Sequence, residues 1–407
     1  MHKKNTNVRR SNKFFLFLIY NLVKFYFFIC GVRVRITYKC QKKLEGPCIV
    51  LCNHGSFVDF FFAGKMLMKS DFNFVAARLY FYHKWLGKAL RLLGCFPKSM
   101  FTTDLESTKN CMRVLKEGRV LAMMPEARLS TAGEFEDIQE STYSFLKKLK
   151  VPVYTIVLRG DYLADPKWGS GFRRGSIVEA TMDKLFTPEQ LEALSVEEIG
   201  KAVEERLYYQ EYDWLSTRPN YRYKSKKLAL GLENILALCP SCGKRHTLIT
   251  KGCRISCEHC GFLTNISDRY EFDPKFRFQT ITEWYQWQKD AMQKAILEDP
   301  EFYLESKVEL RHGDNTGKNL TRHSGYGICR LDRTGLTYTG TEDGEERSIH
   351  FPLKQIYRLL FGAGVNFEVY QSNEIYFFVP EEKRSAVDWY MASSLMYDME
   401  FKTKGEN

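Results

Sequence analysis

Residues 14 to 30, FFLFLIYNLVKFYFFIC, hold a single charge, Lys24. A run this apolar is stable only where water is removed from it, so the fold must bury it or hand it to lipid. Ahead of it, residues 2 to 13 carry five Lys or Arg and no acid. Three readings fit a basic start and a greasy continuation. A cleaved leader needs small residues after its apolar core, and Phe27, Phe28 and Ile29 stand there instead. A membrane span needs roughly 17–25 apolar residues; this run is at the short end and Lys24 interrupts it. A helix lying in one leaflet, with aromatics at the interface, meets neither difficulty. The last is preferred, because a span would carry the next domain to the far side of the membrane. Residues 1–31 are therefore expected to form a membrane-associated helix on the cytoplasmic face, its basic flank meeting anionic headgroups.

The chain's 407 residues exceed one ordinary core, so two or three domains are expected. A hydrophobic content of 44% excludes a disordered chain. The net charge of +11 asks for an anionic partner, nucleic acid or lipid, and composition does not choose between them. Of 12 cysteines, five fall between positions 239 and 260. Others, such as Cys48, Cys52, Cys95 and Cys111, sit in apolar segments, as small hydrophobes do in a reducing compartment. A cytosol-facing protein without structural disulfides is expected.

After the greasy run, strand-like stretches alternate with amphipathic helical ones. RVRITYK, CIVLCN, FNFVAA, RVLAMMP and VPVYTIVL read as strands; KWLGKALRLLG, LESTKNCMRVLKEG and IQESTYSFLKKLK read as helices. Such alternation predicts an α/β domain with a central sheet. It ends near residue 205 in TPEQLEALSVEEIGKAVEERL, a helical stretch opened by Thr187-Pro188-Glu189. Residues 209–235 are polar, basic and aromatic without a clear period, and read as a linker. From about residue 300 the pattern is β. Two strands flank Asp332-Arg333-Thr334-Gly335, and FEVYQSNEIYFFV reads as a hairpin turning at Ser372-Asn373. A final helix over 382–398 has an apolar stripe at Ala386, Trp389, Ser393 and Met396.

The stretch IVLCNHGSFVDFFF, residues 49 to 62, places His54 five residues before Asp59. Residues five apart on one helix do not share a face. The two side chains meet only if His54 lies in the loop before a helix and Asp59 in its first turn. The sequence allows this: CIVLCN is a strand, Gly55 and Ser56 supply a turn and an N-cap, and a helix is expected from about Phe57. Asp59 would then fix one imidazole nitrogen and leave the other to take a proton. Taken alone, such a spacing is more often a cap beside a satisfied core histidine.

The pair has company. Asn53-His54 to Asp59 resembles the N-H-x-x-x-x-D block of the glycerophospholipid acyltransferases, the lysophosphatidic acid acyltransferase group. In that family three more blocks follow in order. For G-x-x-F-I-x-R this chain has GCFPKSM from Gly94, with Lys98 the nearest cation. For F-P-E-G-T-R-S it has MPEARLS: Pro125, Glu126 and Ser130 match, Ala127 replaces glycine, and the arginine stands one place earlier, at Arg128. The fourth block, an apolar strand with a proline, is VPVYTIVL with Pro152. The resemblance covers roughly residues 12 to 208. It implies a membrane-bound O-acyltransferase moving a fatty acyl group from acyl-CoA or acyl-carrier-protein to a lysophospholipid hydroxyl. By the same resemblance His54 is the base, Asp59 orients it, and Glu126 with Lys98, Arg128 and Ser130 holds the acceptor's polar head. The departures bear on the acceptor. Lysine lacks the bidentate fork of arginine, and alanine disfavours a φ > 0 turn that glycine allows. A rival reading is a noncatalytic membrane adaptor on an acyltransferase-like domain; the intact Asn53-His54 and Asp59 argue against it.

Cys239-Pro-Ser-Cys242 and Cys257-Glu-His-Cys260 are two C-x-x-C pairs, each followed by glycine. Two such knuckles offer four thiolates to a tetrahedral Zn²⁺, a closed site that is structural, and they resemble a zinc ribbon. Cys253, His246 and His259 are not expected as ligands. Ribbons also contact nucleic acid, but the loop KRHTLITKGCR lacks a stacking platform, and no nucleic acid is expected. Residues from about 305 to 400 resemble a pleckstrin-homology-like barrel closed by a helix. The organisation expected is thus a membrane-associated helix (1–31), an α/β acyltransferase-like domain (32–208), a linker (209–235), a zinc ribbon (236–265), a helical connector (266–299) and a mainly β barrel-like domain (300–407).

Overall fold

The computed structural model describes residues 8–371 and 374–402. The basic residues ahead of Val8 and the turn at Ser372-Asn373 lie outside them. The chain divides into two compact units. The first runs to residue 224, apart from residues 101–103 and 167–170, which belong with the second, residues 225 onward.

Unit 1 begins with α1 (Lys13–Cys30), started by the Asn12 side chain, which accepts from the Phe15 N–H, and stopped by Gly31 at φ 70°. There follow β1 (Arg33–Tyr38), β2 (Cys48–Cys52), α2 (Asp59–Leu67), β3 (Phe72–Ala77), α3 (Lys84–Leu92), β4 (Cys95–Lys98), α4 (Leu105–Lys116), β5 (Val120–Met123) and α5 (Glu140–Leu149). The unit is completed by β6 (Val153–Arg159), α6 (Asp161–Ala164), β7 (Ile177–Phe186), α7 (Pro188–Ala193), α8 (Val196–Leu207) and α9 (Glu211–Ser216). The strands form one seven-stranded sheet in the order β1-β7-β6-β2-β5-β3-β4, parallel except for β6 against β7. Central β2, CIVLC, is buried at every position, as a parallel strand covered on both faces must be. Edge strand β1 alternates in exposure. The core beside the sheet joins Ile49, Leu51 and Leu121 to Leu146 of α5 and Ile199 and Val203 of α8.

Each of the five strands and three helices read from the sequence has its counterpart. The stretch 187–207 differs: it is two helices, because Ser195 forms a capping box with Glu198 and starts α8 anew. Strands β4 and β7 have no counterpart in the sequence reading. Residues 209–224 are packed, with Tyr209, Tyr212, Tyr221 and Tyr223 buried.

Helix α1 seats one face on α2. Tyr20 meets Phe61 with ring centroids 6.4 Å apart, and Phe27 stacks on Phe62 at 5.2 Å. A Cβ at Gly64 would collide with the Tyr20 hydroxyl, so glycine lets the helices close. The opposite face exposes Phe14, Phe17, Phe25 and Phe28. By length and composition α1 is apolar enough to cross a membrane.

Unit 2 contains a three-stranded antiparallel sheet of β8 (Leu248–Lys251), β9 (Arg254–Cys257) and β10 (Leu263–Asn265), then α10 (Ile281–Glu298). A second, seven-stranded antiparallel sheet is built from β11 (Leu304–Gly313), β12 (Thr321–Asp332), β13 (Gly335–Glu342), β14 (Glu345–Pro352), β15 (Leu360–Gly362), β16 (Asn366–Gln371) and β17 (Glu374–Pro380), followed by α11 (Ala386–Tyr397). Its order is β14-β13-β12-β11-β17-β16-β15. Among the described residues no pairing joins β14 to β15, so this is a sheet-rich region with two edges rather than the closed barrel expected. Edge strand β14 begins with exposed Glu345, Glu346 and Arg347, charges that discourage further pairing. Helix α11 is buried all round from Ala386 to Met396, not along one stripe.

Candidate active site and metal centre

Strands β6, β2 and β5 are neighbours and parallel, and the loops at their carboxyl ends converge. Asn53, first after β2, clamps β6: its Oδ1 accepts from the Leu158 N–H at 2.7 Å and its Nδ2 donates to Leu158 O at 3.0 Å. His54 comes next. Its N–H donates to Glu126 Oε1 at 2.8 Å, and its carbonyl accepts from the Ser130 N–H at 3.0 Å. The backbone of this histidine is thus held from both sides by the loop after β5.

Helix α2 starts at Asp59, two residues later than expected. Val58 makes no side-chain cap; instead the Asp59 carboxylate turns back and accepts from the Ser56 N–H at 2.8 Å. The same oxygen, Oδ2, lies 3.1 Å from His54 Nδ1. Asp59 is fully buried while the His54 side chain is 22% exposed, so the imidazole is the member of the pair that can be reached. An Nδ1–H donated to a carboxylate fixes the tautomer and puts the lone pair on Nε2, where it can take a proton.

Glu126 is buried beneath this pair. Besides the His54 N–H it accepts from the Glu136 N–H at 2.9 Å and the Tyr209 hydroxyl at 3.2 Å. Burial pushes its pKa up to about 8 against the pull of the two backbone N–H groups. Ser130 Oγ donates to Glu134 O at 2.7 Å and closes the same loop. Arg128 points to Glu136, with Nε to Oε2 at 3.0 Å, and pairs with Asp137. Lys98 ends β4, with β3 and β5 standing between that strand and β2. Its ammonium donates to Ser99 O at 3.4 Å, and burial lowers its pKa, opposed by Asp104 and Cys111. Of the residues picked from the sequence, His54, Asp59, Glu126 and Ser130 are therefore bonded into one cluster; Arg128 faces its own loop, and Lys98 is at the sheet edge. Ala127 does adopt the left-handed turn expected to suit glycine, at φ 56°.

Three residues the sequence reading missed complete the cluster. Asp161 follows β6 and is buried against Asp59, each within hydrogen-bonding reach of the other. Glu211 of α9 is buried and accepts from the Gly160 N–H at 2.6 Å. Tyr209 lies between Glu126 and the His54 carbonyl. Burial raises the pKa of Asp161 and Glu211 well above the carboxylate range, with Arg159 pulling the other way. An acid directly after an apolar strand was the one available signal for Asp161. Tyr209 and Glu211 fell in the stretch read as linker.

In unit 2 the Sγ atoms of Cys239, Cys242, Cys257 and Cys260 all lie within 4.8 Å of one another. Cys239 to Cys260 is 3.8 Å and Cys242 to Cys257 is 3.9 Å. A tetrahedron with Zn–S bonds of about 2.3 Å has sulfurs about 3.8 Å apart, so the quartet fits a tetrahedral ion. Gly243 and Gly261, at φ 70° and 73°, donate their N–H groups to the carbonyls of Cys239 and Cys257 and turn each knuckle. His246 is turned to Asp388, 2.7 Å from Nε2, and Cys253 to the Ser225 carbonyl.

Residues 32–159 match the family model described as Acyltransferase. Over 162 residues the chain is 23% identical to a chloroplastic 1-acyl-sn-glycerol-3-phosphate acyltransferase of Brassica napus, covering 39% of this chain and 46% of that protein. Over 92 residues it is 26% identical to the 1-acyl-sn-glycerol-3-phosphate acyltransferase of Bacillus subtilis, covering 23% of this chain and 46% of that protein. The crystal structure of the 1-acyl-sn-glycerophosphate acyltransferase PlsC from Thermotoga maritima is similar with a TM-score of 0.39 and 22% identity, over 47% of this chain and 76% of that one. The chain spans less than half the length of the curated relatives it matches.

Proposed function

We propose that this chain, whose residues 32–159 match the Acyltransferase family model, is a glycerophospholipid acyltransferase that moves a fatty acyl group from a thioester, acyl-CoA or acyl-carrier-protein, to the hydroxyl of a lysophospholipid resembling 1-acyl-glycerol-3-phosphate. The observation that carries the reading is the 3.1 Å contact between His54 Nδ1 and the buried Asp59 carboxylate. His54 Nε2 takes the proton of the acceptor hydroxyl as its oxygen attacks the thioester carbonyl. The tetrahedral intermediate then expels the thiolate, which takes the proton from the imidazolium. Asp59 orients the ring and stabilises its charged form. Glu126 and Ser130 hold the His54 loop, and Lys98 and Arg128 are the cations offered to the acceptor's phosphate.

Helix α1 is the membrane contact on the cytoplasmic face: its exposed aromatics lie in one leaflet while its other face stays on α2. The four cysteines hold Zn²⁺ in a structural role, supplying a cross-link to unit 2 and no chemistry. The deciding assay gives purified protein in detergent a labelled acyl-CoA or acyl-carrier-protein and a panel of lysolipids. Transfer by the wild type and its loss in His54→Ala, with the fold intact by circular dichroism, are expected. Turnover retained in His54→Ala sinks the mechanism.

A further inference from the structure

Unit 1 buries more carboxyls behind the dyad than a His–Asp pair requires. Asp161, at the start of α6, is 1% exposed, and its carboxyl lies in contact with that of Asp59. The approach depends on Gly55, where a Cβ would collide with the Asp161 carboxyl. Among the described residues, no N–H or O–H donor of another residue reaches either Asp161 oxygen, and Asp59 Oδ1 is equally bare. Two buried carboxylates in contact cannot both be charged, and two bare carboxyl oxygens facing each other can bond only through a proton. One proton between them resolves both problems.

The surroundings say which residue holds it. Asp59 Oδ2 already receives the Ser56 N–H and the His54 Nδ1–H, donors that stabilise an anion. Among the described residues Asp161 receives no such donor from its neighbours. The other groups facing the pair are Glu211 from α9, Tyr209 just ahead of it, Cys52 from β2, and Arg159 at the end of β6. Glu211 opposes a second negative charge here. We propose that Asp161 is a positioning residue: it stays a neutral carboxylic acid and donates its O–H to Asp59 Oδ1. Asp59 then keeps both its charge and its aim at His54. The inference rests on reading His54 and Asp59 as the general-base dyad.

The test compares Asp161→Asn with Asp161→Leu in the full-length protein. Asparagine can donate from Nδ2 in the same place; leucine fills the space without a donor. The Asn variant should keep kcat within about threefold of wild type, while the Leu variant should lose about 10- to 100-fold, the worth of one hydrogen bond to a charged group, at unchanged KM. The acid limb of the kcat–pH profile should move to higher pH in the Leu variant and not in the Asn variant, since an Asp59 without its donor holds a proton longer. A Leu variant with wild-type kcat and profile, or an Asn variant as impaired as the Leu variant, overturns the proposal. If the Leu variant does not fold, infrared spectra of protein carrying ¹³C-labelled aspartate decide the matter. A protonated-carboxyl band at neutral pH should vanish in Asp161→Asn, and a band that persists, or none in the wild type, overturns it. The dyad itself fails separately, if the wild type is active and His54→Ala is too.

Discussion

At the scale of single residues, Glu126 separates two roles that the sequence runs together. Its place in the third block suggests contact with the acceptor. In the structure its carboxyl is occupied by the N–H groups of His54 and Glu136 and by the Tyr209 hydroxyl. In Glu126→Gln an amide N–H would face one of those N–H donors, leaving a buried donor unpaired at a cost of about 1–3 kcal/mol. The variant should therefore melt several degrees lower and lose kcat, with KM for the lysolipid little changed. An unchanged melting temperature with a raised KM would return Glu126 to the acceptor. The wild type should also lose stability as pH rises. With a folded pKa of about 8 against an ordinary 4.5, the folded state holds a proton that the unfolded chain releases. The Glu126 contribution is complete below about pH 4.5 and lost as pH climbs through 8; Glu126→Gln lacks it. The His54–Asp59 pairing was legible because strand, turn and helix can each be read locally. Asp161 and Glu211 were not, because their burial is decided by strands and helices distant in sequence.

At the scale of elements, α1 has two faces with different work. Leu16, Tyr20 and Phe27 are buried within unit 1, while Phe17 and Phe28 point away. Phe17→Glu with Phe28→Glu should leave the melting temperature near wild type and abolish sedimentation with anionic vesicles. Binding that survives the double change would remove α1 as the membrane contact. The greasy run was plain in the sequence, but not its division into faces, since an unbroken apolar stretch carries no period to read. The break between α7 and α8 was written there as Ser195-x-x-Glu198, a cap inside a stretch whose composition looked continuous. Strand β4 was hidden by its length of four residues and by Pro97, which argues against a strand unless it lies at a sheet edge, as this one does.

At the scale of the whole molecule, unit 2 is tied together by polar side chains whose partners no local pattern announces. Gln288 of α10 accepts from the Ala237 N–H at 2.8 Å and donates to Ile235 O at 2.6 Å, just ahead of the first cysteine knuckle. Asp388 of α11 binds His246 and Arg245 between the knuckles. The ribbon is thus fastened to both long helices of its unit. Loss of the proposed Zn²⁺ should be felt beyond the cysteine knuckles: Cys257→Ser should lose zinc by metal analysis and lower the melting of unit 2 as a whole. A variant that keeps stoichiometric zinc, or sheds it without any change in melting, would count against a structural ion.

The seat of α1 on α2 has a consequence for selectivity. Tyr20 closes over Gly64, Phe27 stacks on Phe62, and the nine-residue α2 opens with Asp59. In the proposed setting, the helix that meets the lipid and the imidazole that accepts the proton belong to one compact unit. The packing of α1 on α2 would then set their separation, like the height of a crane's hook above its deck. On that proposal, an amphiphile whose hydroxyl rides at that altitude should react without leaving its leaflet, and faster than one whose hydroxyl rides deeper or shallower.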